Sequence, residues 1–420
     1  MPVIPHDELR RIGRRVFAAG GSSEEEAGII ADHLVEANLK GHDSHGVGMI
    51  PSYLRNLHGG KAAANEKGHV VSDSGAFIVY DGARGYGQIV AREATQLGIA
   101  RAKENGVAVV ALRNAHHIGR VGTYGEMCAA EGLLSISFVN ITDQRPAVAP
   151  WRGGDARFGT NPVTIALPGP SPERPIVADM ATSRIAMGKV RVARNKGEKI
   201  AAKTLLGPDG QPTDDPNVMY KRPRGALLTF AEHKGYALAF ICEMLAGAIT
   251  GSGTMRPERQ DTESVTNGML LVVIDPGRIT DRAWLAEEVK AMTDYVTASP
   301  PRKSGEKVLI PGDPERLMRQ KRIAEGVPSI YFSRNSFNAG NLSALIAMYT
   351  PAELILLTGL ICRLPKSFVG SMPSEIVVFA KGISFFLFGV AESQQVTPFT
   401  EPAVLCSCPS APTVDMNDIP

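Results

Sequence analysis

Leu9, Ile12, Val16 and Phe17 recur at helical spacing and predict an amphipathic helix near the start of the chain. Ser23-Glu24-Glu25-Glu26 reads as a capping box with an acidic first turn, opening a second amphipathic helix that ends at Gly41. Alternation at 76–80 then changes the period from helix to strand. Apolar runs at 107–112, 134–139, 163–167, 175–180 and 269–274 predict further strands. Between them, about 88–104 and 124–132 read as helices. A long apolar helix opens at Glu232 or His233 and reaches Ile249. Strands alternating with helices predict an α/β core. The chain shows no internal repeat.

The pattern changes character near residue 328. Residues 1–328 hold 78 Asp, Glu, Lys and Arg residues, whereas 329–420 hold ten, so the tail has a different composition from the body. Its apolar blocks, 344–364 and 376–391, lack a helical stripe and are interrupted by Pro351, Glu353 and Lys381, which argues against membrane spans. The expected organisation is a catalytic part over 1–328 and an atypical C-terminal extension over 329–420, which we read as the product of a reading-frame change. Within the catalytic part, a helical segment (about 1–75) precedes a cofactor lobe (about 76–255) and a return segment (about 256–328).

Composition narrows the function classes. A chain of 420 residues can bury a large core. The net charge of +2 gives no electrostatic case for nucleic acid or a membrane surface. The five cysteines form neither a zinc spacing nor a disulfide framework, so no metal site is expected and a reducing compartment fits. The start of the chain carries no apolar signal core, and a cytoplasmic location is expected.

Candidate chemistry concentrates in three short motifs, which hold five of the nine histidines and favour an enzyme over a scaffold. Asn114-Ala115-His116-His117-Ile118-Gly119-Arg120-Val121-Gly122 follows the strand at 107–112 and precedes a helix, so it presents two histidines at a strand-to-helix turn. Gly41-His42-Asp43-Ser44-His45-Gly46 lies just past the second helix, and Glu232-His233-Lys234-Gly235 comes later. Histidine is the side chain best suited to moving protons near neutral pH. A lone histidine is more often structural, and Glu232-His233-Lys234 by itself reads as an ordinary charged helix start.

No Rossmann G-x-G-x-x-G is present, and Gly82-Ala83-Arg84-Gly85-Tyr86-Gly87 has the wrong spacing. A P-loop, H-E-x-x-H and G-x-S-x-G are also absent. Phosphates can still be held at any helix N-terminus or backbone nest. Gly119-Arg120-Val121 could act so, with Arg120 supplying charge, or its glycines could merely shape the turn.

Several long motifs in order resemble the type-2 malate/L-lactate dehydrogenase family, which is unrelated to the Rossmann lactate and malate dehydrogenases. They are 41–51, 115–122, Phe158-Gly159-Thr160-Asn161-Pro162, Asp179-Met180-Ala181-Thr182-Ser183, 230–236 and Pro311-Gly312-Asp313-Pro314-Glu315. The form Gly48-Met49-Ile50-Pro51 is most similar to the bacterial hydroxycarboxylate dehydrogenase branch. The resemblance implies that family's non-Rossmann α/β fold, with a cofactor lobe and a discontinuous helical lobe. It implies an NAD- or NADP-dependent interconversion of 2-oxo and 2-hydroxy acids, and a homodimer or larger homo-oligomer.

The resemblance also implies roles. His117 matches the family's proton acceptor, and His45 matches a proposed proton donor that lies against the cofactor. We favour His117 as acid/base and His45 as orienting substrate and nicotinamide, with the reverse assignment open. His116 reads as a neighbour that packs or positions. Cofactor contacts carry over to His45, Gly119, Arg120, Val121, Val177, Ala178, Asp179, Met180, Ala181, His233, Lys234, Asn267, Gly312, Asp313, Pro314 and Glu315. Substrate contacts carry over to Ser44, His45, His117 and Lys234. For Asp179 the alternative is capping of a helix start at Thr182-Ser183.

Two departures stand out. Many members have Arg at the position of Met49, where it grips the substrate carboxylate. Its loss here points to another cation, with Arg55 and Arg120 as candidates. The tail is the second departure. Alternatives to the main reading are a reductase of a cyclic imino acid and a cofactor-binding protein silenced by its altered C-terminus.

Overall fold

The structure, a computed structural model, describes residues 3–260 and 264–328, together with the backbone of two short strands at 376–380 and 383–387. Two units separate by their internal contacts, residues 1–363 and 364–420.

In the first unit a two-residue strand β1 (Val3–Ile4) leads into α1 (His6–Ala19), which buries Leu9, Ile12 and Phe17 as its spacing predicts. Helix α2 (Glu24–Leu39) packs along it. Only half of the expected capping box forms. Ser23 Oγ accepts the Glu26 N–H at 3.2 Å, but the Glu26 carboxylate turns instead to Ser22 Oγ at 2.7 Å and to the Asn65 N–H. A buried carboxylate goes to the donors that desolvation has left it, here in another loop. After two short 3-10 turns comes α3 (Ile50–His58).

A seven-stranded sheet follows. Its strands are β2 (His69–Ser74), β3 (Phe77–Asp81), β4 (Val107–Ala115), β5 (Leu134–Thr142), β6 (Val163–Leu167), β7 (Ile176–Met180) and, much later, β11 (Thr266–Ile274). Three two-residue strands, β8 (Leu205–Leu206), β9 (Pro212–Thr213) and β10 (Ala226–Leu227), form a separate small sheet. A last strand, β12 (Val327–Pro328), pairs with β1 and ties the two ends of this region together.

The order across the large sheet is β2-β3-β4-β11-β5-β6-β7. Only β3 and β4 pair in parallel, joined by the crossover helix α4 (Gly87–Asn105); every other pair is antiparallel. The α/β alternation in the sequence is therefore a mixed α/β fold rather than a run of parallel crossovers. Strand β11 returns from the far end of this region and lies between β4 and β5, with Met269, Leu271 and Val273 buried beside Val110 and Leu112. Such a long-range insertion leaves no mark in local periodicity.

Helix α5 (Gly122–Ala130) packs on β5 and β6. Helix α6 (Met187–Lys196) lies against the turn Asp43–His45. The long apolar helix begins at His233 as α7 (His233–Cys242), then widens into a π-helix over Glu243–Ile249. Helices α8 (Arg282–Thr297) and α9 (Asp313–Glu325) complete the region.

Among the described residues no helix is long and apolar enough to cross a membrane, and no His, Cys, Asp and Glu group could hold a metal ion. The second unit contains a hairpin of β13 (Ile376–Ala380) and β14 (Ile383–Leu387). The remaining expectations for 329–420 lie outside the described residues.

Candidate active site

Strand β4 delivers its last residue, Ala115, to the edge of the core, and His116 and His117 follow at the turn into α5. Helix α3 meets them from the other side. Tyr53 and Asn56 lie three residues apart, hence on one face of α3, and each takes one of the adjacent histidines. Tyr53 Oη lies 2.6 Å from His117 Nδ1, and Asn56 Nδ2 lies 2.9 Å from His116 Nε2. His116 is 1% exposed, with burial lowering its pKa to about 4, so it is a packed, neutral neighbour of the half-buried His117. The start of α4 closes the third side. A Cβ on Gly87 would overlap the His116 and His117 carbonyls, so glycine lets this helix begin directly against them.

His45 arrives from a different part of the chain and stacks on His117, with ring centroids 5.5 Å apart and planes 9° from parallel. Its own turn is held by long-range partners. Asn38 of α2 donates to Asp43 at 2.6 Å and accepts the Val47 N–H at 2.8 Å. Arg322 of α9 grips Asp43 with both guanidinium nitrogens, at 2.7 and 2.9 Å. Ser44 Oγ lies 2.9 Å from His45 Nδ1. On the outer side, a Cβ on Gly188 of α6 would overlap Ser44 Cβ, so α6 rests on the turn with no room to spare.

Both stacked rings are neutral at neutral pH. Burial lowers the His45 pKa to about 4, helped by the charges of His42, Arg120 and Arg191 and opposed by Asp179. Burial also holds His117 well below the usual histidine range, with His45 and His116 adding to the effect. A neutral imidazole can accept a proton from a hydroxyl, and a substrate carboxylate placed beside it would raise its pKa.

Two of the expected cofactor segments lie side by side. Val177 N–H donates to Pro311 O at 3.2 Å, so β7 lies beside the turn at Gly312–Glu315. Arg174 and Arg316 both hold Asp313, and Glu315 meets His42 at 3.3 Å. Asp179, at the other end of β7, accepts the Gly122 N–H at 2.9 Å. Asn267 is 3% exposed and spends both ends of its amide inside the protein, on the Ile118 N–H and the Asn140 carbonyl. It therefore braces the His117 turn.

Three expectations change here. The nest at Gly119–Val121 is filled from within. The Arg120 N–H donates to His33 Nε2 at 3.0 Å, and the Asp179 carboxylate already occupies the start of α5. A phosphate there would meet a like charge. Asp179 caps α5 rather than a helix at 182–183, where none begins. Of the two expected replacement cations, Arg120 is already committed elsewhere. Arg55 is exposed on α3, and Arg120 is 2% exposed and committed to Glu126 at 3.0 Å, with Asp179 at 3.6 Å. Arg191, unremarked in the sequence, is a further cation whose charge reaches His45.

His233 and Lys234 are exposed in the first turn of α7, where His233 packs on Trp151 with ring centroids 5.6 Å apart. The preceding Ala231 and Glu232 both sit in left-handed backbone, at φ 43° and 53°, a strain of roughly 1–3 kcal/mol each that is common beside ligand clamps. No described hydrogen bond or ring contact joins Lys234 to the histidine pair.

Backbone groups at the edge of the large sheet are the ones that would hold a dinucleotide. Strand β7 ends the sheet, and the 310–315 segment packs along this edge, where Pro311 O already takes the Val177 N–H.

A pair of stacked, neutral histidines is suited to proton transfer. Comparison with known proteins supplies the class. The malate/L-lactate dehydrogenase family matches residues 4–330, and the chain belongs to that family. It is thus an oxidoreductase of the kind acting on CH–OH donors. Hydroxycarboxylate dehydrogenase B of Escherichia coli K12 is 44% identical over 315 residues, spanning 74% of this chain and 86% of that protein. L-lactate dehydrogenase of Cupriavidus necator is 38% identical over 310 residues, spanning 74% and 89%. Among solved structures, a malate/lactate dehydrogenase from E. coli superposes with a TM-score of 0.76 at 40% identity, covering 87% of this chain and 99% of that one. Delta1-piperideine-2-carboxylate reductase from Pseudomonas syringae gives 0.68 at 29% identity, covering 86% and 100%.

Proposed function

We propose that this protein interconverts 2-oxo acids and 2-hydroxy acids with NAD or NADP, and that His117 moves the proton. The observation that carries this reading is the His45–His117 stack, with His117 Nδ1 held by Tyr53 and Nε2 without a described partner. The bound nicotinamide would supply or accept the hydride at the substrate carbon. In the oxidation direction His117 takes the hydroxyl proton, and in reduction it returns one to the forming alkoxide. His45, set by Ser44, orients the substrate and the nicotinamide face. The backbone of Val177 to Ala181, with the 312–315 turn, would hold the cofactor, and His233 and Lys234 would close over it from α7. The cofactor lobe and the discontinuous helical lobe belong to the same proposal.

The substrate carboxylate needs a cation. Arg191, whose charge already acts on His45 from the helix that rests on Ser44, is our candidate. Trp284, Met292 and Tyr295, left exposed on α8, support a homodimer or larger homo-oligomer.

Oxidation of NADH and NADPH should be followed with pyruvate, oxaloacetate, 2-oxoglutarate, phenylpyruvate and a cyclic imino acid. Turnover on an oxo acid that disappears in His117→Ala is the expected result. Turnover confined to the imino acid would replace the oxo-acid reading, and cofactor binding without any turnover would overturn the enzyme reading.

A further inference from the structure

A row of buried polar groups runs from Gln88 to His117. Gln88 Nε2 lies 2.7 Å from Tyr53 Oη, which in turn lies 2.6 Å from His117 Nδ1. Gln88 and Tyr53 are 1% and 0% exposed, so water cannot replace either bond. A phenol has one proton to give. With an amide N–H already directed at its oxygen, Tyr53 has the Nδ1 lone pair as the acceptor for that proton. A neutral imidazole that accepts at Nδ1 carries its hydrogen on Nε2.

We propose that Tyr53 is a positioning residue, which together with Gln88 fixes neutral His117 as the Nε2–H tautomer and aims that hydrogen at the substrate oxygen. The inference rests on the acid/base role proposed for His117. Burial raises the Tyr53 pKa above its ordinary value, so the phenol stays a donor across working pH. The Tyr53 ring also touches both histidines, at centroid distances of 5.1 and 5.8 Å. Tyr53→Phe therefore keeps the packing and deletes only the donor.

The row also has a direction. An Nε2–H suits hydrogen bonding to the carbonyl of an oxo acid, whereas giving a proton to the forming alkoxide takes a second ring proton on Nδ1, so that the imidazolium returns to a neutral ring. Accepting a hydroxyl proton needs the Nε2 lone pair, hence a hydrogen on Nδ1. Tyr53 must then receive from Nδ1 and donate towards Gln88. Gln88 Oε1 is buried with no partner among the described residues, and a half-turn of the amide brings it to Tyr53. Gln88 is the point at which the row can reverse.

The test is nitrogen NMR of the full chain carrying 15N-histidine near pH 7, with His117 assigned from the spectrum of His117→Gln. The two ring nitrogens of a neutral histidine differ widely in shift, so the protonated one is read directly. The expected wild-type result is a protonated Nε2 and an unprotonated Nδ1. In Tyr53→Phe the signals should move towards a tautomer mixture, with kcat falling roughly 10- to 100-fold and KM little changed. A wild-type His117 protonated on Nδ1 would overturn the proposal, as would Tyr53→Phe with unmoved ring shifts and unchanged kcat. Should Tyr53→Phe not fold, the wild-type spectrum decides alone. Turnover retained in His117→Gln would remove the acid/base reading yet leave the tautomer result standing.

Discussion

His45 and His117 lie in nearly parallel planes, yet their rings are held by different means. The Nδ1 of His45 meets the hydroxyl of Ser44, its own neighbour in the chain, while the turn that carries both is pinned from α2, α6 and α9. His117 follows directly on β4, its turn is braced by Asn267 of β11, and its ring is oriented by Tyr53, 64 residues away. One histidine thus has a local ring partner on a remotely supported loop. The other has a remote ring partner as well as a remotely braced turn. Precision at a site can be assembled from either combination, but damage propagates differently through each.

Removing the rings themselves should give the largest difference. His117→Ala should lower kcat by about 10²- to 10⁴-fold, the usual worth of a general acid or base. His45→Ala should act more on KM. Steady-state kinetics on the best substrate distinguishes the two, and equal losses in kcat would mean that the roles are shared or reversed.

Acid should strip stability from the whole cluster. His33, His45 and His116 have pKa values lowered to about 3, 4 and 4, mainly by burial. A histidine depressed in the fold stays neutral there while the unfolded chain takes up a proton near 6.5. Its contribution is complete above that value and is lost as pH falls towards 4, at about 1.4 kcal/mol per pH unit for each group. Denaturant titrations at pH 7, 6 and 5 should show stability dropping steeply over this window. A flat profile would mean that these rings are not buried in neutral form.

Loop support offers a finer cut. Gly188→Ala would push α6 against Ser44 and should cost about 1–3 kcal/mol by overpacking while displacing His45. Arg322→Ala, which frees Asp43, should cost about 1 kcal/mol because the pair is partly exposed. Both should raise KM and leave the His117 ring-nitrogen shifts in place. Movement of those shifts would show that the two turns are coupled. The smallest effect is expected at Lys234, exposed and without a described partner. Lys234→Ala should change stability by less than about 0.5 kcal/mol, and a selective rise in cofactor or substrate KM would support its proposed contact.

Much of this was legible in the sequence. The runs at 107–112, 134–139 and 163–167 correspond to β4, β5 and β6, and the Leu9–Phe17 stripe to α1, because burial on one face imposes a period that local reading detects. The histidine motifs stood out for the same reason, as chemistry placed at the turns between those elements. The antiparallel insertion of β11, the widening of α7 into a π-helix and the capping of α5 by Asp179 were not legible. Tyr53 left one faint signal, its three-residue spacing from Asn56 on α3.

By itself the sequence determined which segments are helix or strand, and which side chains can carry a proton at neutral pH. Both are properties of residue type and short-range spacing. Only the tertiary structure decided that His45 would lie on His117, that Arg120 would be spent on Glu126 and Asp179, and that Tyr53 would hold Nδ1. Desolvation makes each buried polar group find a partner wherever the fold supplies one, and that partner can be anywhere in the chain.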